Sequence, residues 1–261
     1  MARYVRPKKS LGQHFLTDTD IARRIAGTLK EYKGLPVLEV GPGTGMLTRC
    51  LLDDGQNIKV VELDRESVDY LEKNVPELEG RIIEGDFLKM DLDTLFDGKF
   101  CVIGNYPYNI SSQIFFKVLD YKNRIPCCSG MIQKEVAERL AAKHGNKTYG
   151  ILSVLIQAWY DVEYLFTVSE HVFDPPPKVK SAVIKMTRNG VTDLGCDEAL
   201  FKRVVKTAFN QRRKTMRNSL RGILIPGADI LSDKIFDMRP EQISVAQFVK
   251  LTCDVKPYIV Q

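Results

Sequence analysis

The order of residues points to an α/β protein: a parallel sheet with helices on both faces, followed by a small C-terminal all-α domain. Three observations carry that expectation. From residue 36 onward, short apolar strands alternate with helix-compatible segments. A glycine-rich turn follows the first of these strands. Over residues 197–261 strand-like runs almost vanish and helical periodicity takes their place.

The first strand is "PVLEV" (36–40), and "IKVVEL" (58–63), "RIIEG" (81–85), "KFCVIG" (99–104) and "CCSGMIQ" (127–133) follow it. Between them stand the helical segments "MLTRCLLDD", "RESVDYLEKN", "SSQIFFKVLDY" and "KEVAERLAAK". Alternation at this spacing builds a parallel sheet, and such a sheet binds ligands at the carboxyl ends of its strands, where the strand order reverses. "DVEYLFTV" (161–168) and "SAVIKMTR" (181–188) flank the proline-rich "FDPPPKVK" and close the sheet as a hairpin-like pair. The texture changes near Gly190, so the expected domains are 1–190, with a basic N-terminal arm, and 191–261.

A chain of 261 residues suits one large domain and one small one. Hydrophobic residues make up 44% and charged residues 27%, enough to bury a real core. No apolar run approaches the roughly 20 residues of a membrane span, so no membrane association is expected. The opening "MARYVRPKKS" is basic but lacks a following apolar stretch, which argues against a secretory signal and for a cytoplasmic protein. The six cysteines form no C-x-x-C pair and the three histidines are too few to complete a metal site, so reduced buried thiols and no metal are expected.

Gly41, Gly43 and Gly45 in "VLEVGPGTGMLT" let the chain turn tightly and let a ligand approach without a Cβ in the way. Dinucleotide sites use G-x-G-x-x-G, whose last position is filled here by Met46. The G-x-G-x-G spacing suits S-adenosylmethionine instead, although a plain strand–turn–helix connection accounts for a lone glycine turn equally well. Glu62 ends the second strand, 21 residues after Gly41, where a carboxylate accepts hydrogen bonds from ribose hydroxyls of either cofactor. Asp86, after the third strand, suits an adenine amino group with Leu63 and Phe87 beside the ring, or else a helix N-cap. Three consecutive strand ends bearing a glycine turn, Glu and Asp favour the cofactor.

"GNYPY" ends the fourth strand. Methyl transfer to an adenine amino group must overcome the delocalisation of the nitrogen lone pair into the ring. Acceptors for the amino hydrogens draw the nitrogen toward a nucleophilic geometry. Asn105 offers a side-chain carbonyl, and Pro107 fixes the backbone that aims the Tyr106 carbonyl. Tyr108 gives a flat face for an extruded base, worth about 1–3 kcal/mol. Phe173 is a candidate for the opposing face.

The stretches "KKSLGQHFL", "EVGPGTG", "VELD", "EGDFL", "GNYPYNISS", "FDPPPKVKSAV" and "FNQRRKTMRNSL", in this order, resemble the KsgA-type small-subunit ribosomal RNA adenine dimethyltransferases over nearly the whole chain. That resemblance implies a Rossmann-like class I methyltransferase sheet with a small helical domain. It implies dimethylation of two adjacent adenosines in the 3′-terminal hairpin loop of small-subunit rRNA, with S-adenosylmethionine as donor and S-adenosylhomocysteine as product. It also implies a role in small-subunit biogenesis, on an immature small ribosomal subunit; the sequence leaves the oligomeric state open, with a monomer as the default. The family's cofactor contacts fall on His14, Leu16, Gly41, Glu62, Asp86 and Asn105. His14 stands where the family often has Asn, and Tyr106 where it has Leu or Ile.

Residues 201–222 hold eight Lys or Arg and no acid, which suits phosphate binding through Arg212, Arg213 and Lys214 over what read as six helical turns. Arg3, Arg6, Lys8 and Lys9 in the arm, and Lys178 and Lys180 near the proline loop, extend the basic surface. Competing readings are an Erm-type large-subunit rRNA methyltransferase, a non-catalytic assembly factor and an NAD-dependent oxidoreductase. A cytosine carbon-5 methyltransferase would need a nucleophilic cysteine, and Cys127 lies at the wrong end of its strand.

Overall fold

The computed structural model describes residues 5–260. Arg3 of the basic arm lies outside them. The chain divides into two units: Met1–Ala137 with Val162–Arg188, and Glu138–Asp161 with Asn189–Gln261.

The first unit is built on a seven-stranded sheet. Its strands are β2 (Val37–Val40), β3 (Ile58–Glu62), β4 (Ile82–Glu84), β5 (Cys101–Asn105), β6 (Cys127–Gln133), β7 (Tyr160–Val168) and β9 (Ser181–Arg188). A separate two-stranded pair joins β1 (Phe15–Leu16) to β8 (Phe173–Asp174). The sheet order is β4-β3-β2-β5-β6-β9-β7. β2 pairs in parallel with β3 on one side and β5 on the other, and β9 lies antiparallel to β6. The chain thus leaves β2 in one direction for β3 and β4, then returns to its other side at β5. That reversal opens a crevice beyond the carboxyl ends of β2 and β5.

Strand β2 is buried throughout and β6 nearly so, as a parallel sheet covered on both faces requires. Helix α1 (Thr19–Ala26) buries Ala22, Ile25 and Ala26, and α2 (Met46–Asp53) buries Leu47, Thr48, Cys50 and Leu51. Helix α3 (Arg65–Asn74) begins at Asp64, whose carboxylate accepts the Glu66 N–H at 3.2 Å. Helix α4 (Ser111–Asp120) follows the mouth of β5.

In the second unit, α6 (Ile151–Gln157) packs with α7 (Glu198–Asn210) and α9 (Val245–Val255). Trp159 meets Phe201 edge-on at 5.9 Å, and Phe209 lies 5.9 Å from Phe248. The expected single boundary near Gly190 therefore misses residues 138–161, which join the C-terminal helices. The reason is hydrophobic: "ILSVLIQ" buries five consecutive residues, Leu152 to Ile156, and needs apolar partners all round. Helix α5 (Lys134–Ala141) leads into this segment. Among the described residues no helix is long and apolar enough to cross a membrane.

Candidate active site

One cavity lies over the ends of β2, β3 and β5, and its walls include His14, Leu16, Gly41, Glu62, Asp86, Asn105 and Tyr108. Seven predicted residues from distant parts of the sequence thus meet in one place. Phe173 is not among the walls: it is 4% exposed and belongs to the hydrophobic core, where β1 pairing sets it opposite Leu16. Arg212, Arg213 and Lys214 belong to the second unit.

The glycine turn packs closely against the N-terminal arm and leaves no room for a Cβ at Gly43. Gly43 has φ +56°, and a Cβ there would stand 2.8 Å from the Phe15 ring. Gly41 (φ +70°) lines the cavity beside it. Glu62 is 6% exposed and is held by backbone donors: Gly43 N–H to Oε2 at 3.1 Å and Asp64 N–H to Oε1 at 2.9 Å. Burial pushes its carboxyl up, against the pull of those N–H groups. Each oxygen keeps a lone pair for a further donor.

Asp86 Oδ1 accepts the Leu88 N–H at 3.0 Å, so it also closes its own turn. Leu63, 53% exposed, and buried Phe87 stand with it on the cavity wall and supply apolar surface for a base.

Sequence reasoning missed Glu39. It is buried beneath the turn and lines the cavity. Thr48 donates to its Oε2 at 2.7 Å, while Oε1 has no hydrogen-bond partner. Burial, with the Glu62 charge adding to it, raises the carboxyl to about 8 although the Thr48 hydroxyl opposes the rise. An apolar strand interrupted by an acid, "VLEV", was the available signal. Glu62 and Asp86 bring acidic side chains to the cavity, and Glu39 adds a carboxyl that burial keeps protonated toward pH 8.

At the β5 mouth, Asn105 Nδ2 donates to the His14 carbonyl at 3.0 Å. An amide that donates there keeps its Oδ1 as a free acceptor. His14 contributes three contacts: that carbonyl, a 2.7 Å hydrogen bond between ring Nδ1 and the Pro175 carbonyl, and a ring stacked on Tyr108 at 5.4 Å. The Tyr108 hydroxyl hydrogen-bonds Ser181 Oγ, which fixes the ring. Burial raises the Tyr108 phenol, with the Ser181 bond opposing it.

Tyr106 is fully buried. Its hydroxyl donates to the Ser129 carbonyl at 2.7 Å, and its ring meets Phe115 edge-on at 5.7 Å. The ring occupies space left by two glycines: a Cβ on Gly130 would lie 2.7 Å from Tyr106 Cε2, and one on Gly104 3.0 Å from Cε1. The unusual tyrosine is therefore accommodated by the core.

The basic surface differs from its prediction. Helix α7 stops at Asn210, and Arg212, Arg213 and Lys214 occupy the turn before the short α8 (Met216–Ser219). Arg212 donates to the Lys147 carbonyl, which brings exposed Lys143 and Lys147 of the 138–161 segment into the same unit's basic turn region. Arg217 pairs with Asp237 at 2.7 Å, so this cation has a structural partner. Lys8 pairs with Asp64 and Glu66. Cys127 is buried, and desolvation raises its thiol, the reverse of what a nucleophile needs. Among the described residues no group of three or more His, Cys, Asp or Glu side chains is placed to hold a metal ion.

The sequence profile of the "Ribosomal RNA adenine dimethylase" family matches residues 5–253. The "Ribosomal RNA small subunit methyltransferase A" of Parabacteroides distasonis is 71% identical over 250 residues, 96% of this chain and 94% of that protein. Its namesake in Phocaeicola vulgatus is 65% identical over 253 residues, 97% and 90% of the two chains. Among solved structures, a dimethyladenosine transferase from Plasmodium falciparum superposes with TM-score 0.78 at 24% identity, covering 94% of this chain and 99% of that one. The 23S rRNA methyltransferase ErmE superposes with TM-score 0.66 at 24% identity over 90% and 98%. These two share the class I methyltransferase fold. With the family profile spanning almost the whole chain and full-length relatives at such identity, this chain belongs to the ribosomal RNA adenine dimethylase family.

Proposed function

We propose that this protein transfers methyl groups from S-adenosylmethionine to the exocyclic amino nitrogens of two adjacent adenosines in the 3′-terminal hairpin loop of small-subunit rRNA. The observation that carries the reading is the orientation of Asn105. Its Nδ2 is committed to the His14 carbonyl, so Oδ1 is the acceptor available to an amino group at the β5 mouth.

S-adenosylmethionine supplies an electrophilic methyl on a sulfonium and leaves as S-adenosylhomocysteine. Glu62 holds the ribose, Gly41 and Gly43 admit the tail, and Leu63, Phe87 and Asp86 enclose the adenine. His14 and Leu16 close the pocket from the arm. Asn105 Oδ1 accepts a hydrogen of the target amine and pulls its nitrogen out of conjugation. Tyr108, already stacked with His14, is the aromatic wall against which an extruded purine rests. The amine sheds its proton after the N–C bond forms, so positioning supplies most of the rate and no strong base or metal is called on.

The basic turn Arg212, Arg213 and Lys214, with Lys143 and Lys147, binds RNA phosphates. The partner is the immature small subunit in the cytoplasm, met by a monomer. The large-subunit alternative has a fold-level likeness at 24% identity behind it, against relatives named for the small subunit at 57–71%.

Labelled methyl transfer to unmethylated small subunits, with mapping of the modified nucleotides, tests the reading. Label is expected on two adjacent adenosines near the small-subunit 3′ end. Label on large-subunit RNA would overturn it. Asn105→Ala is expected to lower turnover by about 10²–10³-fold while binding to the subunit survives. Normal methylation by that variant would remove Asn105 from its role.

A further inference from the structure

Asp64 is a buried carboxylate, 2% exposed, that methyl transfer as described leaves unused. It lies just past Glu62 and takes contacts from the N-terminal arm. Lys8 Nζ pairs with Oδ1, and Gln13 Nε2 donates to Oδ2 at 3.0 Å. Gln13 cannot flip, because its Oε1 accepts the Lys8 N–H at 2.7 Å. Ser67 Oγ lies 3.3 Å from Oδ2, and the Glu66 N–H caps Oδ1. Burial would raise this carboxyl, but the bonds from Lys8, Gln13 and Glu66 outweigh it and hold the group below the usual range. The anchor is therefore an anion at neutral pH.

The arm is also held beyond the cavity. Phe15 and Leu16 pair with Asp174 and Phe173, and the Thr17 N–H donates to the Val172 carbonyl at 2.9 Å. His14 lies between the two anchors, and its carbonyl receives the Asn105 amide. An Asn side chain has nearly the same shape with its oxygen and nitrogen exchanged. Which end faces the cavity depends on its partner. A carbonyl placed at His14 demands Nδ2.

We propose that Asp64 is a positioning residue for methyl transfer: through Lys8 and Gln13 it holds the arm so that the His14 carbonyl fixes the amide of Asn105 with its oxygen toward the target amine. The inference builds on the role assigned to Asn105 above. It adds that the acceptor geometry is set from residues in the arm and after β3, one turn from the ribose-holding carboxylate. Glu62 Oε1 accepts the Asp64 N–H, a main-chain bond that Asp64→Asn leaves in place.

Three variants of the full chain test it. Asp64→Asn keeps a side-chain oxygen for the helix cap but removes the charge that Lys8 meets. Gln13→Ala removes the donor. Gln13→Glu sets a second carboxylate against Asp64, with Glu66 and Lys8 also facing the group. Each should lower kcat by about 10- to 100-fold at neutral pH, since a small displacement of a positioning group is costly. The diagnostic is the pH profile relative to wild type at the same pH. As pH falls, the new carboxyl of Gln13→Glu protonates and donates to Asp64, so its rate climbs back toward wild type. Gln13→Ala shows no such recovery. A second readout needs no turnover: hydrogen exchange across residues 8–16 should accelerate in Asp64→Asn, with or without S-adenosylhomocysteine. Wild-type kcat in Asp64→Asn and Gln13→Glu, beside a collapsed Asn105→Ala, would overturn the latch and leave the Asn105 role standing. Normal methylation by Asn105→Ala would overturn both. Unchanged exchange in the arm would overturn the latch on its own.

Discussion

The first unit buries three of its acids, whereas the turn after α7 in the second unit leaves its bases in water. Glu39, Glu62 and Asp64 are all buried, each with a different set of partners. Arg213 and Lys214 are exposed and make no ion pair among the described residues. Buried charges are shielded little by salt, so their partners decide their state. Exposed charges bind mobile counterions and release them to a polyanion. The cofactor end should therefore respond to single-atom changes and ignore ionic strength, while the RNA end should do the opposite.

Glu62→Gln tests the first half and should have the larger effect. The amide can accept one of the two backbone N–H groups that the carboxylate accepts now, from Gly43 and Asp64. Its NH₂ then faces the other donor. Hydrogen bonds to charged groups are worth about 1.5–3 kcal/mol, so the KM for S-adenosylmethionine should rise about 10- to 100-fold. Calorimetry with S-adenosylhomocysteine at two salt concentrations checks it. A loss that vanishes at high salt would dissolve the contrast between the two regions.

Replacing Arg212, Arg213 and Lys214 with Gln tests the second half. RNA affinity should fall, and the slope of log K against log salt should flatten by about 0.7 for every single-strand phosphate that the variant no longer neutralises. Because Arg212 also donates to the Lys147 carbonyl, part of its effect is structural, and Arg213 and Lys214 should account for most of the slope change. S-adenosylhomocysteine affinity should stay at its wild-type value. An unchanged slope would remove this turn from the RNA surface.

What could be read from the sequence follows the same division. Gly41, Glu62, Asp86 and Asn105 are legible because each ends a strand, and a parallel sheet gathers strand ends without further information. Pairings across the chain are not. Lys8 reads as one more arm cation, yet its partner Asp64 lies 56 residues away. Phe173 reads as a candidate face for the base or as a core side chain beside a rigid loop, and a two-residue pairing with β1 goes with its burial in the core. The basic run reads as one helix because its charges alone carry no register. The end of α7 at Asn210 and the Arg217–Asp237 pair come from packing. Segment 138–161 reads as part of the sheet domain by adjacency, since a helix apolar all round shows no face.

A last effect, on stability rather than on turnover or binding, concerns Glu39, whose Oε1 has no hydrogen-bond partner. Its carboxyl is raised from an ordinary 4.5 to about 8 in the fold. Between those values the unfolded chain has released the proton and the folded chain still holds it. Stability from this group is therefore complete below about pH 4.5 and is lost as pH rises toward 8, at no more than about 1.4 kcal/mol per pH unit. Glu39→Gln imitates the protonated acid: its oxygen takes the Thr48 hydroxyl, and nothing ionises. Without cofactor, the variant and wild type should melt together at pH 4.5, and the variant should gain progressively toward pH 8. Parallel melting profiles across that range would mean that Glu39 is charged in the folded chain, and that some donor meets the oxygen now left without one.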